Sequence, residues 1–194
     1  MNYLAHMFLS FGNKDIITGN FLGDMISNQE VKTYPEGIRK GVFIHRKIDT
    51  FTDDHPDVLK GVRRLYERHS KYASVLIDIY YDYLLCINWD KYSDESLQSF
   101  ADKIYAALMS NIDLMPERVQ KRLLGMTQGN WLISYATLDG IQYAITRMTQ
   151  RASKPELLEG AIDSLTTDLE LLNEEFNRFF PEIIEHIKPE IPTK

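Results

Sequence analysis

Two pairs of chemically active side chains recur at helical spacing in the first half of the chain. His45 and Asp49 lie four residues apart in IHRKID, and Asp78 and Asp82 lie four residues apart in VLIDIYYDYLL. Residues four apart share one face of a helix, so the members of each pair can converge on one cation. The surroundings of the second pair are so apolar that both carboxylates are expected near the core, where unpaired charge is unfavourable. Each pair is a candidate part of a metal site.

Two further polar side chains lie in apolar company near the N-terminus. His6 stands between Ala5 and Met7, and Asp24 lies in GNFLGDMI, one helical turn after Asn20. Taken singly, such a histidine is more often a hydrogen-bonded core residue, and a helical aspartate is more often a cap or an ion-pair partner. Their joint occurrence favours a metal site over a purely structural polar network. The predicted ligands of a divalent cation are His6, Asp24, His45, Asp49, Asp78 and Asp82.

The types of donor limit the chemistry. Histidine and aspartate without cysteine suit Mn²⁺, Fe²⁺, Mg²⁺ or Zn²⁺ and do not single out one of them. The chain contains no glycine-rich phosphate loop, no nucleophile elbow and no Cys-x-x-Cys pattern, which disfavours nucleotide-loop ATPases, serine hydrolases and thiol redox enzymes. Metal-assisted hydrolysis is the class of reaction that remains.

Helices must position these side chains, because helical periodicity runs along almost the whole chain. We predict an all-α, single-domain helical bundle over residues 1–194. The helix that carries His45 is predicted to begin with a capping box between Thr33 and Glu36 and to end near His55. An earlier helix is predicted to begin after Thr18. Later helices are predicted over residues 57–69, 72–88, 94–111, 117–124, 130–150 and 155–179, with a short one after Pro181.

Composition and charge are those of an ordinary folded protein. The single cysteine, Cys86, cannot form an internal disulfide, so a cytoplasmic location is expected. The N-terminal segment lacks the features of a signal peptide, and no stretch is long enough to span a bilayer, so no membrane association is expected. A net charge of −6 disfavours nonspecific binding to nucleic acid. The pattern leaves the oligomeric state open.

Several segments resemble one known family. MNYLAH, GNFLGD, GVFIHRKIDTFTDDHP and the segment around Asp78 and Asp82 resemble the acyl carrier protein phosphodiesterases, also called holo-acyl carrier protein hydrolases. The likeness continues through NWLISYATLDGIQYAITRMTQR to FNRFFPEI, although the N-terminal motifs are its specific part. That family is similar to the HD-type metal phosphohydrolases. The resemblance therefore implies an all-α, HD-phosphohydrolase-like fold with the metal held between helices.

The resemblance also implies a reaction, which is hydrolysis of the phosphodiester between 4′-phosphopantetheine and a serine of acyl carrier protein, with Mn²⁺ as the expected cofactor. It makes Arg46 a phosphate contact. The residues that it implies as metal ligands or their neighbours are His6, Asp24, His45, Asp49 and either Asp78 or Asp82. Asp53 or Asp82 is expected to accept the proton of the attacking water. One position departs from the family, because Tyr83 follows Asp82 where a histidine is common. If that histidine is essential, the departure implies a changed metal site or a different substrate.

Acyl carrier proteins are strongly acidic, so an acidic chain needs a local basic surface to bind one. Lys60, Arg64 and Arg68 recur every four residues, with Arg63 beside them, which predicts such a surface. A merely solvated helix face fits the same pattern. Two other functions stay open at this point. One is a metal phosphohydrolase that acts on a small phosphodiester or nucleotide, and the other is a non-catalytic helical protein that binds metal.

Overall fold

The computed structural model describes residues 1–192, and all regular secondary structure in this range is helical. The prediction of an all-α fold is confirmed, and the buried apolar side chains form one continuous core. Within the described range, no helix has the combined length and apolar character needed to cross a membrane. The α-helices are α1 (Tyr3–Phe8), α2 (Lys14–Leu22), α3 (Asn28–Val31), α4 (Glu36–Asp54), α5 (Pro56–His69), α6 (Ala73–Ile87), α7 (Trp89–Tyr92), α8 (Leu97–Met109), α9 (Glu117–Gln128), α10 (Trp131–Ser134), α11 (Leu138–Thr149), α12 (Ala161–Thr167) and α13 (Leu169–Ile187).

Helices α2 and α4 pack with their backbones in contact because glycines line both sides of the interface. A Cβ atom on Gly19 would lie 2.0 Å from the carbonyl oxygen of Ile38, and a Cβ on Gly41 would lie 2.7 Å from that of Ile16. Neither distance leaves room for a side chain in a close-packed interior. The glycines of GNFLGD and GVFIH therefore bring the polar residues of these two motifs side by side.

The start of α4 differs from the prediction. Pro35 is its N-cap and no side chain caps it, while the Thr33 hydroxyl donates to the carbonyl of Glu30 at 2.8 Å. The capping box forms one helix earlier, between Ser27 and Glu30 at the start of α3. The predicted Thr33–Glu36 box is wrong because Thr33 is bound within the turn that ends α3.

Several other helix boundaries also differ. Asn13 caps α2, which therefore begins before Thr18, and Ser96 caps α8. Helix α9 continues through Gly125 to Gln128, and the predicted helices over 130–150 and 155–179 are each interrupted. Helix α13 runs through Pro181 instead of stopping before it. An interior proline costs about 3 kcal/mol, but each large apolar side chain that α13 buries contributes about 1.5–3 kcal/mol. Those side chains are Leu172, Phe176, Phe179, Phe180, Ile183 and Ile187.

Candidate metal centre

Four of the six predicted metal ligands meet at the junction of α1, α2 and α4. The Nε2 atom of His6 lies 3.1 Å from Oδ1 of Asp49, and the Nε2 atom of His45 lies 3.1 Å from Oδ2 of the same carboxylate. Asp24, in the turn after α2, places Oδ1 3.1 Å from Nε2 of His45. Both imidazoles are buried, whereas the Asp24 side chain is 83% exposed at the rim. We call these four residues the His/Asp cluster.

Asn20, on α2, fixes the orientation of both imidazole rings. Its amide nitrogen donates to the His6 carbonyl at 2.8 Å and to Ser10 Oγ at 3.0 Å, so its oxygen must face the rings. That oxygen lies 2.8 Å from Nδ1 of His6 and 3.1 Å from Nδ1 of His45. A carbonyl oxygen can accept from two donors, so each Nδ1 carries a hydrogen and donates to Asn20. Both Nε2 atoms therefore present lone pairs to the cluster when the rings are neutral.

The geometry at the Nε2 atoms fits a divalent cation. Each Nε2 faces oxygens that are themselves acceptors, the Asp49 carboxylate in both cases and also the Met1 carbonyl, 3.0 Å from His6. A neutral imidazole cannot satisfy acceptors at both nitrogens. Two protonated rings would repel each other, because the His6 and His45 rings are stacked with centroids 4.2 Å apart. A cation between the Nε2 lone pairs and the carboxylates removes both conflicts.

The distances agree with this interpretation. Adjacent ligands at right angles around one cation, with bonds of about 2.1 Å, lie about 3.0 Å apart, close to the 3.1 Å separations at His45 Nε2. Within residues 1–192, this buried nitrogen has no correctly aligned hydrogen-bond partner, although two carboxylate oxygens lie beside it. The atoms therefore approach one another as co-ligands do. One ligand atom each from His6, His45 and Asp49 falls within 4.8 Å of the others.

The electrostatics of the cluster favour positive charge. Burial lowers the pKa of His45, but the nearby Asp24 and Asp49 carboxylates outweigh burial and raise it to about 9. Burial lowers the pKa of His6, and the charge of His45 lowers it further. Burial alone would raise the pKa of Asp49, yet the two histidines hold it well below its usual range. The cluster therefore favours one positive charge, on the His45 imidazole, and a bound metal cation would replace the proton that carries this charge.

Asp78 and Asp82 are not part of this cluster. Asp78 Oδ1 lies 3.0 Å from the Met1 amino nitrogen, which lies 3.6 Å from Asp49 Oδ1, so Asp78 adjoins the cluster only through Met1. The fully buried Asp82 accepts hydrogen bonds from the backbone N–H groups of Leu4 at 2.9 Å and Ala5 at 3.0 Å, in the first turn of α1. Burial raises the Asp82 pKa to about 7, although these two donors oppose the shift. Asp82 therefore anchors the helix that carries His6 instead of facing a cation.

The predicted phosphate contact and the other predicted base lie outside the cavities that adjoin the cluster. The exposed Arg46 donates to Asn28 Oδ1 at 2.6 Å. Asp53 is exposed one turn after Asp49, and partial burial, followed by the charge of Asp78, raises its pKa. Two cavities adjoin the cluster, one of about 300 Å³ and one of about 620 Å³, and neither Arg46 nor Asp53 lines them. Tyr83, the position of the family departure, is half-buried against the core and lines neither cavity.

Most charges of the predicted basic surface on α5 are paired. Arg64 donates to both carboxylate oxygens of the buried Glu175, Lys60 lies 2.7 Å from Asp57, and Arg68 lies 3.7 Å from Asp163. Arg63 is exposed and makes no ion pair within residues 1–192. These pairs neutralise much of the surface, so they weaken the argument that it attracts an acidic partner.

Two adjoining cavities open from the cluster, and sequence reasoning missed most of the residues that line the larger one. The smaller, of about 300 Å³, lies over His6, His45 and Asp24, and the larger, of about 620 Å³, is lined by parts of α6, α9, α10 and α11. Trp131 lies in the wall of the larger cavity, together with Arg122, Tyr143, Arg147 and Arg151. A usable signal was present, because Tyr143, Arg147 and Arg151 recur every four residues on and just after α11. We call this larger cavity the Trp131 cleft.

Comparison with known proteins adds a family. A family model described as acyl carrier protein phosphodiesterase matches residues 1–183. A protein of that name from Serratia proteamaculans (strain 568) is 26% identical over 189 residues, which cover 97% of this chain and 98% of the relative. Another from Salmonella agona (strain SL483) is 27% identical over 185 residues, covering 95% and 96% respectively. A third, from Photorhabdus laumondii subsp. laumondii, is 27% identical over 186 residues, covering 95% and 94%. No solved structure matches, so the HD-type likeness stays a prediction.

Proposed function

The chain belongs to the acyl carrier protein phosphodiesterase family of phosphoric diester hydrolases, and on this basis we propose that it uses a divalent cation to release 4′-phosphopantetheine from holo-acyl carrier protein. The observation that carries the metal dependence is the arrangement around Asn20. Asn20 binds Nδ1 of both His6 and His45 and so leaves both Nε2 atoms beside the Asp49 carboxylate. Outer hydrogen bonds of this kind orient histidine ligands in metal sites.

We propose His6, His45 and Asp49 as the residues that hold the cation, with Asp24 as a further ligand at the exposed rim. Mn²⁺ is the proposed metal, and the same donors suit Mg²⁺, Fe²⁺ and Zn²⁺. When bound, such a cation lowers the pKa of water and stabilises negative charge on phosphoryl oxygens. This donor set contains no thiolate, and the single cysteine, Cys86, lies half-buried on α6.

The protein's own side chains supply the remaining functions. Asp24 and Asp78 face the Trp131 cleft, where a substrate would lie, so they are positioned to accept a proton from the attacking water. Asp53 lines neither cavity, and both oxygens of Asp82 are occupied by backbone N–H groups. The general base is therefore proposed at Asp78, with Asp24 as the alternative in case Asp24 is not a ligand of the cation. The proposed partner is an acyl carrier protein, and a single unpaired cysteine supports a cytoplasmic site of action.

The direct test is incubation of the purified chain with holo-acyl carrier protein and Mn²⁺, followed by intact mass measurement. We expect the carrier to lose the mass of the phosphopantetheine arm, and we expect a chelator to stop this loss until metal is restored. Replacing His45 or Asp49 with Ala should abolish turnover and metal binding while helicity is retained. Undiminished cleavage in the chelated enzyme, or in both variants, would refute the metal-dependent mechanism.

A small phosphodiester, such as bis(p-nitrophenyl) phosphate, distinguishes the two classes of phosphodiesterase substrate. The proposed function requires release of the arm from the carrier to be the efficient reaction. Rapid cleavage of the small diester together with an unchanged carrier mass would identify a small-molecule phosphohydrolase. Stoichiometric metal binding without turnover of either substrate would identify a metal-binding protein.

A further inference from the structure

The Trp131 cleft contains three guanidinium groups that form no ion pair with the described residues. Arg122, Arg147 and Arg151 line it, and within residues 1–192 none of them makes an ion pair. Arg64 and Arg178, in contrast, each bind a buried carboxylate. Asp24 and Asp78 also line this cleft, but Asp78 is paired with the Met1 amino group, and neither carboxylate forms an ion pair with these arginines. Positive charge that is grouped in a concave wall and not bound to a carboxylate attracts an anionic ligand.

Aromatic rings hold two of these guanidinium groups in place. Arg147 Cζ lies 4.0 Å from the centroid of the Trp131 ring, and Arg122 Cζ lies 5.4 Å from the centroid of the Tyr3 ring. Arg122 also donates from Nε to the Tyr3 hydroxyl at 2.5 Å. Stacking orders a guanidinium while leaving its N–H edge available. Arg147 makes no hydrogen bond within the described range, so its donors are available to bind a ligand.

Arg122 lies where the cleft meets the proposed metal centre. Arg122, Tyr3 and Asp24 line both the Trp131 cleft and the smaller cavity over His6 and His45. An anion bound by Arg122 would therefore lie beside the cluster. The lining of the cleft also includes the apolar side chains of Val75, Ile79, Ala144 and Met148, and the volume of about 620 Å³ falls within the usual range for ligand sites.

We propose that the Trp131 cleft binds the phosphopantetheine arm of the substrate. Arg122 and Arg147 bind the phosphate, which carries the negative charge, and the apolar wall receives the flexible pantetheine chain. This inference rests on the proposed function, since it takes the substrate from there. It transfers phosphate recognition from Arg46, which lies outside the cleft, to arginines of α9 and α11.

Direct binding of two probes tests the proposal. Isothermal titration of the full chain with 4′-phosphopantetheine, and with pantetheine lacking the phosphate, measures what the phosphate contributes. We expect tighter binding of the phosphorylated probe, and we expect Arg122→Met and Arg147→Met each to weaken it on the order of 10- to 100-fold. Arg122→Lys should recover part of the loss. Arg39→Met is the matched control, because Arg39 is exposed on α4 and lines neither cavity.

A second variant tests the apolar wall without removing charge. Ala144→Phe adds a ring within the cleft and should prevent both probes from binding. Mn²⁺ affinity should stay at the wild-type value in all of these variants, since their side chains are not in the His/Asp cluster. With holo-carrier as substrate, the arginine variants should raise KM more than they lower kcat.

Equal affinity for the two probes, or wild-type affinity for 4′-phosphopantetheine in both arginine variants and in Ala144→Phe, would overturn the proposal. No detectable binding of the phosphorylated probe at millimolar concentration would also overturn it. Failure of the proposed function has a different signature. In that case the arginine-dependent binding of 4′-phosphopantetheine persists while the carrier mass stays unchanged.

Discussion

Gly23 tests whether the exact position of the His45 ring determines metal binding. Its backbone has ordinary right-handed helical angles, so alanine is sterically allowed there by the backbone alone. An added Cβ atom would lie 2.2 Å from Cγ of His45. Carbon atoms in contact lie at least about 3.5 Å apart, so Gly23→Ala must displace the ring by about 1.3 Å. Metal sites tolerate distance errors of only about 0.2 Å.

We therefore expect Gly23→Ala to weaken Mn²⁺ binding by about 10- to 100-fold or more, as when the support of a ligand is lost. Titration calorimetry measures the affinity, and turnover of the holo-carrier at fixed metal concentration measures the consequence. Gly125→Ala is the matched control, because a Cβ at that position in α9 would have no neighbour within 4 Å. That change should raise stability by about 0.5–1 kcal/mol and leave metal affinity unchanged.

Circular dichroism and thermal unfolding separate a displaced ligand from a damaged fold. Gly19→Ala should unfold the protein at lower temperature than Gly23→Ala, because its Cβ would meet backbone atoms of α4 instead of one side chain. A Gly23→Ala protein with wild-type helicity and wild-type Mn²⁺ affinity would refute the reasoning. That outcome would mean that His45 is not a ligand, or that its ring can move without affecting the site.

Two further predictions concern the groups that support the site and the fold. Asn20→Ala should lower metal affinity by about 10- to 100-fold, measured by calorimetry, since neither imidazole would keep its Nδ1 acceptor; unchanged affinity would contradict this role. Glu30 has a pKa lowered from 4.5 to about 2 by the backbone N–H of Ser27 and then by Arg118. The contribution of the Glu30 carboxylate to folding stability is therefore complete above pH 4.5 and is lost as the pH falls toward 2. Glu30→Gln should flatten the pH dependence of urea unfolding in that window, and an unaltered profile would contradict the assignment.

Local spacing predicted the part of the site that lies on one helix. His45 and Asp49 converge because residues four apart share a helix face, which depends only on helix geometry. The approach of Asn20 to both imidazoles depends on the packing of α2 against α4. The sequence shows the glycines on each helix, but it does not show that they face each other. The Trp131 cleft joins α6, α9, α10 and α11, so no local pattern specifies it.

Asp82 illustrates where composition gives an incomplete answer. Its apolar neighbours correctly predict that it is buried, and a buried carboxylate needs a cation or hydrogen-bond donors. Either partner satisfies that need. The donors are the backbone N–H groups of Leu4 and Ala5, which every residue type except proline can supply, so the side chains near Asp82 carry no sign of them. Thr33 fails as a cap because its hydroxyl donates to the backbone carbonyl of Glu30, whereas Ser27 and Glu30, which carry the same sequence signature, form the capping box.

Arg64 separates a docking role from a structural one, because it belongs to the predicted basic surface yet binds the buried Glu175. Arg64→Met leaves that carboxylate without a partner, so the free energy of unfolding should fall by about 3 kcal/mol. Adding Glu175→Leu removes the unpaired charge, and the double variant should recover most of the stability in urea unfolding. If Arg64 is structural, KM for the holo-carrier should also return to the wild-type value in the double variant. A KM that stays raised in the restabilised protein, and rises equally in the exposed Arg63→Met variant, would instead assign carrier docking to α5.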